Sequence, residues 1–250
     1  MNLGVIPGRL NSKRFPRKII YPLNGKAIIE HVYDNAKESK YLDKLIIAID
    51  SEETKSHINN SCDTMFTSSE HKSGTDRVAE VSEKINPNIV VNIQGDEPKI
   101  DPNIIDNLIL LFNDPSVEMA SVASTDLTSD DLINPNVVKV CLDDNNYALN
   151  FERDISLQDQ QYFRHIGIYA YRSEILKKFT NLDQTDNEKK LIKLNYKVDK
   201  NASNLRTQQS STLALLLFED PTSDESQINP FFLSMLGSIT RACAKEGYDL

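Results

Sequence analysis

Short apolar runs alternate with helical spacing patterns over the first half of the chain, and this alternation constrains the fold most strongly. Short apolar segments at residues 3–6 and 89–93 predict strands, and the continuous apolar run at 45–49 is typical of a strand that is buried on both faces of a sheet. Between them, residues 27–37 and 75–85 carry apolar side chains at the spacing of a helix that packs along one face. The same patterns predict a strand at 64–67, a helix at 104–112 and a strand at 119–123. The order of these elements predicts an α/β fold.

The pattern changes after residue 137, where short strands replace the alternation. Residues 137–142 and 147–151 flank a turn-rich segment at 143–146, which predicts a β-hairpin. A strand at 165–171 and a helix at 174–179 follow. These elements predict a smaller antiparallel β lobe beside the α/β core.

The last fifty residues differ in composition from the rest. Residues 201–211 are polar and rich in Asn, Ser and Gln, which is typical of a loop or linker. A strand at 213–218 and a closing helix at 231–244 are predicted beyond it. We therefore expect residues 1–250 to form a single domain, with a core at 1–200 and an atypical C-terminal segment at 201–250.

Composition excludes several classes of protein. A net charge of −9 argues against general nucleic-acid binding, because neutralising phosphates requires a basic face. The three widely spaced cysteines form neither a fully paired disulfide framework nor the CxxC spacing of a zinc site. The longest uninterrupted apolar run is too short to span a bilayer, and residues 1–18 lack the apolar core of a signal peptide. We expect a cytoplasmic protein, without nucleic acid or membrane as a partner.

A basic loop interrupts this acidic chain directly after the first predicted strand. Residues 9–18, RLNSKRFPRK, contain five cations and no acid, and Pro7, Gly8 and Pro16 shape the loop. An α/β protein holds phosphates in a loop at the carboxyl end of its first strand. The loop is predicted to be a polyphosphate cradle. A solvated basic loop, which is what most charge runs are, is the alternative.

Asp96 lies just past the strongest predicted strand, in the motif QGDEP. Gly95 permits a tight turn there, and Pro98 stops the strand from continuing. A carboxylate at this edge suits Mg²⁺ held against substrate phosphates. A turn acid, or the cap of the following helix, is the alternative.

The stretch HKSGTDR precedes another predicted helix. Backbone N–H groups between Ser73 and Thr75 would meet an anion or a base edge at that helix N-terminus. The alternative is an ordinary helix start in which Ser73 or Thr75 is the cap.

His165, Gly167 and Tyr169 share one face of their predicted strand, because side chains alternate along a strand. With both rings facing a cleft beside Arg153, this face would suit a hydroxylated, anionic small molecule. A histidine that is only structural is the alternative.

Six stretches of the sequence together carry a resemblance to a known family: IPGRLNSKRFPRK, NGKAIIEHVYDNA, HKSGTDRVAEV, VVNIQGDEP, NPNVVKVCLD and YFRHIGIYAYR. Over about residues 1–179 the chain resembles the 3-deoxy-manno-octulosonate (Kdo) cytidylyltransferases, or CMP-Kdo synthetases. The resemblance implies a single Rossmann-like domain of the nucleotide-diphospho-sugar transferase type, with a mixed, mostly parallel sheet. It also implies a homodimer that uses Mg²⁺ and transfers CMP from CTP to Kdo, or to a close analogue such as 8-amino-Kdo. Pyrophosphate is released, and the product serves lipopolysaccharide biosynthesis.

The resemblance also assigns roles to single residues. It places the triphosphate on Arg9, Ser12 and Lys18. It places the rest of the nucleotide by Ser68, Ser73 and Gly74, with Arg77 supporting that loop. The implied metal ligands are Asp96 and, as a candidate for a second aspartate, Asp220. The implied sugar-binding residues are Gln94, Arg153, His165, Tyr169 and Glu188. Lys18, Arg9 and Asp96 are the implied catalytic residues.

The chain departs from the resembled family at three places. Arg17 stands where the family usually has glycine, and Lys99 replaces an apolar residue. After residue 200 the family's leucine- and glutamate-rich helix is not clear. Two alternatives therefore stay open. One is a cytidylyltransferase for another acid sugar such as sialic acid, against which RHIGIYAY argues. The other is a nucleotide- or sugar-binding homologue impaired in catalysis, against which Lys18 and Asp96 argue.

Overall fold

The computed structural model describes residues 1–10, 16–144, 146–153, 161–181 and the backbone of 213–218. The strands are β1 (Asn2–Gly8), β2 (Pro22–Leu23), β3 (Lys26–Ala27), β4 (Lys44–Ile49), β5 (Thr64–Phe66), β6 (Ile89–Asn92), β7 (Met119–Ser124), β8 (Lys139–Leu142), β9 (Ala148–Glu152), β10 (Tyr162–Arg172) and β11 (Leu213–Phe218). The helices are α1 (Ile28–Lys37), α2 (Glu52–Ser56), α3 (Gly74–Ile85), α4 (Pro102–Leu110), α5 (Ser129–Ile133) and α6 (Ser173–Thr180). Short 3₁₀ helices occur at Lys18–Ile20 and Leu111–Asn113.

Parallel strands form the centre of the main sheet. Strand β1 lies between β4 and β6, and β5 flanks β4, all in parallel. Strand β10 runs antiparallel to both β6 and β7, and β11 pairs parallel with β7 at the far edge. The order across the sheet is β5-β4-β1-β6-β10-β7-β11. The predicted α/β fold with a mixed, mostly parallel sheet is confirmed.

Apolar side chains fill both faces of this sheet. The neighbouring residues Val5 and Ile6 have no exposed surface and belong to separate clusters, because consecutive side chains of a strand point to opposite faces. Ile6 is in the cluster that contains Ile29 of α1, whereas Val5 is in the cluster that contains Val78 of α3. Truncating one such side chain to alanine costs about 2–5 kcal/mol of stability. This packing fixes where the carboxyl ends of the central strands lie.

The antiparallel lobe is built on the long strand β10. Its first residues, Tyr162 to Arg164, pair with β8, which pairs in turn with β9. Its last residues, Tyr169 to Arg172, pair with β6 of the main sheet. Between Ile166 and Tyr169 the register against β7 shifts. One strand therefore joins the lobe to the parallel sheet, and the predicted hairpin and lobe are confirmed.

The C-terminal predictions have mixed outcomes. The strand predicted at 213–218 is confirmed as β11, and it lies within the main sheet. The sheet therefore extends past residue 200, where the sequence had suggested that the core ends. The closing helix predicted at 231–244 lies outside the described residues. None of the helices in the described part of the chain is long and apolar enough to cross a membrane.

Candidate active site

The carboxyl ends of β1 and β6 meet at one edge of the sheet. A Cβ atom on Gly95 would lie 2.9 Å from the carbonyl oxygen of Pro7 in β1, which is too close for any real side chain. Only glycine therefore allows the QGDEP turn to approach the first strand so closely. The approach brings the QGDEP turn, which contains Asp96, to the strand that leads into the basic loop.

Lys18 and Asp96 form an ion pair across this edge. Lys18 Nζ donates to Asp96 Oδ2 at 2.9 Å, although the two residues are 78 positions apart. Their side chains are 31% and 42% exposed, so both groups remain accessible to a ligand. The Arg17 N–H donates to the carbonyl oxygen of Leu10 at 3.0 Å and closes the loop behind Lys18. The structure thus brings together two of the expected catalytic residues.

The unusual residue Arg17 sits in a backbone conformation that favours glycine. Its φ is 65°, in the left-handed region, where a side chain costs about 1–2 kcal/mol. Its guanidinium forms an ion pair with Glu53 Oε1 at 2.5 Å. The loop therefore keeps the bend that glycine would favour and directs the extra side chain toward α2.

Arg77 is buried and holds the ends of two strands to α3. Its guanidinium donates to Thr67 Oγ1 and, at 3.2 Å, to Asp50 Oδ2, while only 1% of its side chain is exposed. Burial lowers the pKa of Arg77, Asp50 opposes that shift, and the nearby charge of Arg9 adds to it. Arg77 therefore supports the loops after β4 and β5, and Arg9 lies close enough for their charges to interact.

The start of α3 is a capping box. Ser73 Oγ accepts from the Asp76 N–H at 3.1 Å, and Asp76 Oδ2 accepts from the Ser73 N–H at 3.0 Å. Ser73, and not Thr75, is therefore the cap, as one of the alternatives predicted. Nucleotide contacts from Ser73 and Gly74 stay predictions.

Glu80 fixes the loop that carries Ser68. Its Oε2 accepts from the Ser68 N–H at 2.9 Å and contacts His71 Nε2 at 2.6 Å, while Oε1 accepts from Lys84 at 2.6 Å. Burial alone would raise the pKa of Glu80, but these hydrogen bonds hold it at about 2. The Ser68 loop is thus anchored to α3 by a charged acceptor.

A ring cluster forms the second half of the site, in the lobe. The His165 ring lies edge-on to Phe151 at 5.0 Å and tilted against Tyr169 at 5.4 Å between centroids. His165 and Tyr169 therefore meet, as the shared strand face predicted. Against the expectation of an open cleft, Tyr169 has no solvent-exposed surface: it stacks on Tyr171 at 6.3 Å between ring centroids and meets the lobe only as part of the lining of a small cavity.

A cavity of about 190 Å³ lies in front of these rings, lined by Asn136, Val137, Val138, Arg164, His165, Gly167 and Tyr169. The Arg153 guanidinium donates to the carbonyl oxygens of Pro135 at 3.0 Å and Asn136 at 3.3 Å. Burial lowers the pKa of His165 to about 3, and the charge of Arg153 adds to the shift. The histidine is therefore neutral at physiological pH.

Gln94 connects the two halves of the site. Its Nε2 donates to the carbonyl oxygen of Gly167 at 2.8 Å, within the irregular part of β10. Gln94 and Asp96 belong to the same QGDEP turn. The ion pair and the lobe cavity are therefore held to each other by one short segment.

The Cytidylyltransferase family matches residues 3–213 of the sequence. The chain belongs to the cytidylyltransferase family. It is 39% identical, over 198 residues, to the 3-deoxy-manno-octulosonate cytidylyltransferase of Thermodesulfovibrio yellowstonii, covering 71% of this chain and 78% of that protein. The enzyme of the same name from Francisella tularensis subsp. tularensis is 39% identical over 223 residues, 83% of this chain and 89% of that protein. The resemblance predicted from the sequence is confirmed.

A solved structure agrees with these relatives. CMP:2-keto-3-deoxy-manno-octonic acid synthetase complexed with CTP matches this cytidylyltransferase with a TM-score of 0.79 at 26% identity. The match covers 98% of this chain and 99% of that one. The similarity is therefore not confined to the motifs.

Three predicted site residues of the cytidylyltransferase, Ser12, Glu188 and Asp220, lie outside the described residues. Sequence reasoning also missed residues that hold the site together. Lys139 is fully buried in β8 and donates to the carbonyl oxygens of Asn134 at 2.7 Å and Arg153 at 2.5 Å. A lysine in a strand usually predicts an exposed position, so only the apolar neighbours of Lys139 in VVKVCL hinted at this role.

Proposed function

We propose that this chain transfers CMP from CTP to Kdo, or to a close analogue such as 8-amino-Kdo, and releases pyrophosphate. The observation that carries the proposal is that the QGDEP turn contacts both halves of the site. Gln94 donates a hydrogen bond to Gly167, which lines the lobe cavity, and Asp96 pairs with Lys18 of the basic loop. One substrate would bind at each end of this turn. The relatives named as 3-deoxy-manno-octulosonate cytidylyltransferases support this pair of substrates.

The basic loop and the sheet edge would hold the triphosphate. In the reaction, the anomeric hydroxyl of the sugar acid forms a bond to the α-phosphorus, and the bond from that phosphorus to the bridging oxygen of pyrophosphate breaks. The hydroxyl proton is lost to solvent. Lys18 and Arg9 would neutralise the negative charge that develops on the phosphate oxygens, without a covalent intermediate.

The donor set at the sheet edge fits Mg²⁺. The ion prefers one or two carboxylates, phosphate oxygens and water, and Asp96 offers an accessible carboxylate beside the proposed triphosphate site. When bound, Mg²⁺ would neutralise and orient phosphate oxygens. Asp96 would hold it, and Lys18 would then be free to turn from the carboxylate to the phosphates. Asp220 remains the proposed second ligand.

The lobe cavity would hold the sugar acid. Arg153 and Arg164 bring positive charge to the cavity, which suits a carboxylate, and the neutral His165 suits hydroxyl groups. We further propose that the protein is a cytoplasmic homodimer and that its product serves lipopolysaccharide biosynthesis, as the sequence resemblance implies.

Pyrophosphate release tests the proposal. Purified protein is incubated with CTP and Mg²⁺ and with Kdo, 8-amino-Kdo or sialic acid, and CTP binding is measured in parallel by calorimetry. We expect release with Kdo or its amino analogue, and none without a sugar acid. Preference for sialic acid would establish the other acid-sugar enzyme, and CTP binding without release would establish a binding homologue.

A further inference from the structure

The buried hydroxyl of Ser121 in β7 lies close to three polar atoms, although it can donate only one hydrogen bond. Ser121 Oγ lies 2.8 Å from His165 Nε2, 2.8 Å from the carbonyl oxygen of Ile168 and 3.4 Å from that of Ile166. Ser121 itself has no exposed surface. Its side chain has one hydrogen to donate and can accept hydrogen bonds as well.

These distances determine where the protons lie. A carbonyl oxygen can only accept, so the contact with Ile168 is a hydrogen bond only if Ser121 donates to it. The single Ser121 hydrogen is then used, and the contact with His165 is a hydrogen bond only if Nε2 carries the proton. The opposite tautomer would leave two lone pairs facing each other at 2.8 Å in a partly buried site.

The other ring nitrogen is left as an acceptor. Among the residues that the structure describes, none donates a hydrogen bond to His165 Nδ1, and His165 lines the lobe cavity. The edge contact with Phe151, at an interplanar angle of 83°, and the contact with Tyr169 hold the ring in place. The depressed pKa of about 3 agrees with a ring that stays neutral.

We propose that Ser121 is a positioning residue that fixes His165 in the Nε2–H tautomer, so that Nδ1 accepts a hydrogen bond from a hydroxyl group of the sugar acid. The identity of the ligand in this inference rests on the proposed function. The tautomer of His165 rests only on the contacts of Ser121. With this role, Ser121 would help the lobe to select its ligand, which neither the strand pattern nor the motifs indicated.

The tautomer can be measured without any substrate. The chain has four histidines, and ¹⁵N-labelled protein resolves them by their long-range ¹H–¹⁵N correlations. The His165→Gln variant identifies the His165 signals. We expect the Nε2–H pattern for His165 in the unchanged protein, and its partial or complete loss in Ser121→Ala. An Nδ1–H or a doubly protonated pattern in the unchanged protein would overturn the inference even if Ser121→Ala fails to fold.

Kinetics then test the consequence for the ligand. Losing one neutral hydrogen bond of about 0.5–1.5 kcal/mol predicts a roughly two- to twelvefold rise in KM for Kdo in Ser121→Ala. We expect kcat and the KM for CTP to stay unchanged, and Ser121→Thr, which keeps a hydroxyl, to restore both the tautomer and the KM. Ser124→Ala is the matched control, because Ser124 is a buried serine of the same strand whose hydroxyl accepts from the Asp126 N–H.

The outcomes separate this inference from the proposed function. Absence of pyrophosphate release by the unchanged protein would refute the function and leave the tautomer measurement decisive for Ser121. Normal release together with an unchanged tautomer in Ser121→Ala would refute the inference and leave the function standing.

Discussion

At the carboxyl edge of the sheet, Lys18 and Asp96 pair with 31% and 42% of their side chains exposed, whereas in the lobe Lys139 is fully buried. The exposed lysine meets a carboxylate at 2.9 Å, and the buried one donates to backbone carbonyl oxygens at 2.7 and 2.5 Å. The lobe also contains a neutral histidine. Charges at the sheet edge are thus available to a ligand, while the lobe uses its buried lysine to hold its own backbone.

This difference matches the two proposed substrates. A triphosphate requires mobile, accessible cations that can exchange one partner for another during the reaction. A sugar acid with many hydroxyl groups requires fixed donors and acceptors, because a misplaced polar group loses its hydrogen bond. We expect changes at the sheet edge to act on turnover and changes in the lobe to act on binding of the sugar.

The largest effect is expected from Asp96→Asn. The amide keeps the shape of the carboxylate but loses the charge that metal coordination requires. We expect turnover to fall at least about a thousandfold while CTP binding remains measurable, since several kcal/mol of stabilisation is lost. Magnesium titrations of the rate are the measurement. Asp34→Asn is the control, because Asp34 forms a similarly exposed pair with Lys26 at 2.7 Å; an unaltered rate and magnesium response in Asp96→Asn would make Asp96 a turn residue only.

Lys18→Ala should be the next most severe change. A lost transition-state contact of about 3–4 kcal/mol corresponds to a roughly hundred- to thousandfold lower kcat. The fold should persist, because the Lys18–Asp96 pair is partly exposed and such pairs contribute about 0–1 kcal/mol to stability. Lys26→Ala removes a comparably exposed pair, the one with Asp34, and should leave kcat unchanged. Near-normal turnover of a folded Lys18→Ala protein would remove Lys18 from the mechanism.

The lobe should respond differently, with Arg153→Ala as its most sensitive change. A charge-assisted hydrogen bond to the sugar carboxylate contributes about 1.5–3 kcal/mol, which is a roughly ten- to hundred-and-fifty-fold higher KM for Kdo. Tyr169→Phe and His165→Gln should raise it less, and the KM for CTP should stay nearly constant in all three variants. If the KM for CTP rises and the KM for Kdo does not, the lobe binds the nucleotide and the proposed division of the site between the two substrates is wrong.

The half-buried His165, with its lowered pKa, should also make stability depend on pH. The pKa of His165 falls from 6.5 to about 3 on folding, so the unfolded chain binds an extra proton between these values. The free energy of unfolding should therefore decrease as pH falls below about 6.5, by up to about 1.4 kcal/mol per pH unit. Urea unfolding between pH 7 and 5 measures this slope. Glu80, whose pKa falls from 4.5 to about 2 on folding, affects the pH dependence only below about 4.5 and so does not interfere in this range. A slope that persists in His165→Gln would assign it to another group.

The smallest effect is expected at the sheet edge, from Arg17→Gly. Glycine relieves the left-handed backbone at φ 65° but removes the exposed ion pair with Glu53. Since relief of the strain is worth about 1–2 kcal/mol and the ion pair about 0–1 kcal/mol, stability should rise by at most about 2 kcal/mol. Arg17→Ala, which keeps the strain and loses the pair, should not be stabilised. Thermal unfolding of the three proteins compares them directly, and a loss of stability in the glycine variant would mean that the ion pair outweighs the strain.

Local patterns in the sequence determined most of the secondary structure and the broad division of the site. The strand patterns at 89–93 and 213–218 correspond closely to β6 and β11, and the hairpin at 137–151 to β8 and β9. The spacing of apolar residues predicts such elements well because each side chain's direction is set by its own backbone within one turn or one pleat. The basic loop and the QGDEP motif were visible for the same reason, since their chemistry is contiguous.

Only the tertiary structure decided which distant groups meet and what covers them. Lys18 and Asp96 are 78 positions apart, and Ser121 and His165 are 44 apart, so no spacing rule relates them. The alternation of side chains placed His165 and Tyr169 on one face, but it could not show that Tyr169 is covered completely or that Lys139 is buried. Burial depends on the strands and loops that pack over a residue, and these come from distant parts of the chain. The register of β10 against its neighbours determines which of its residues they cover.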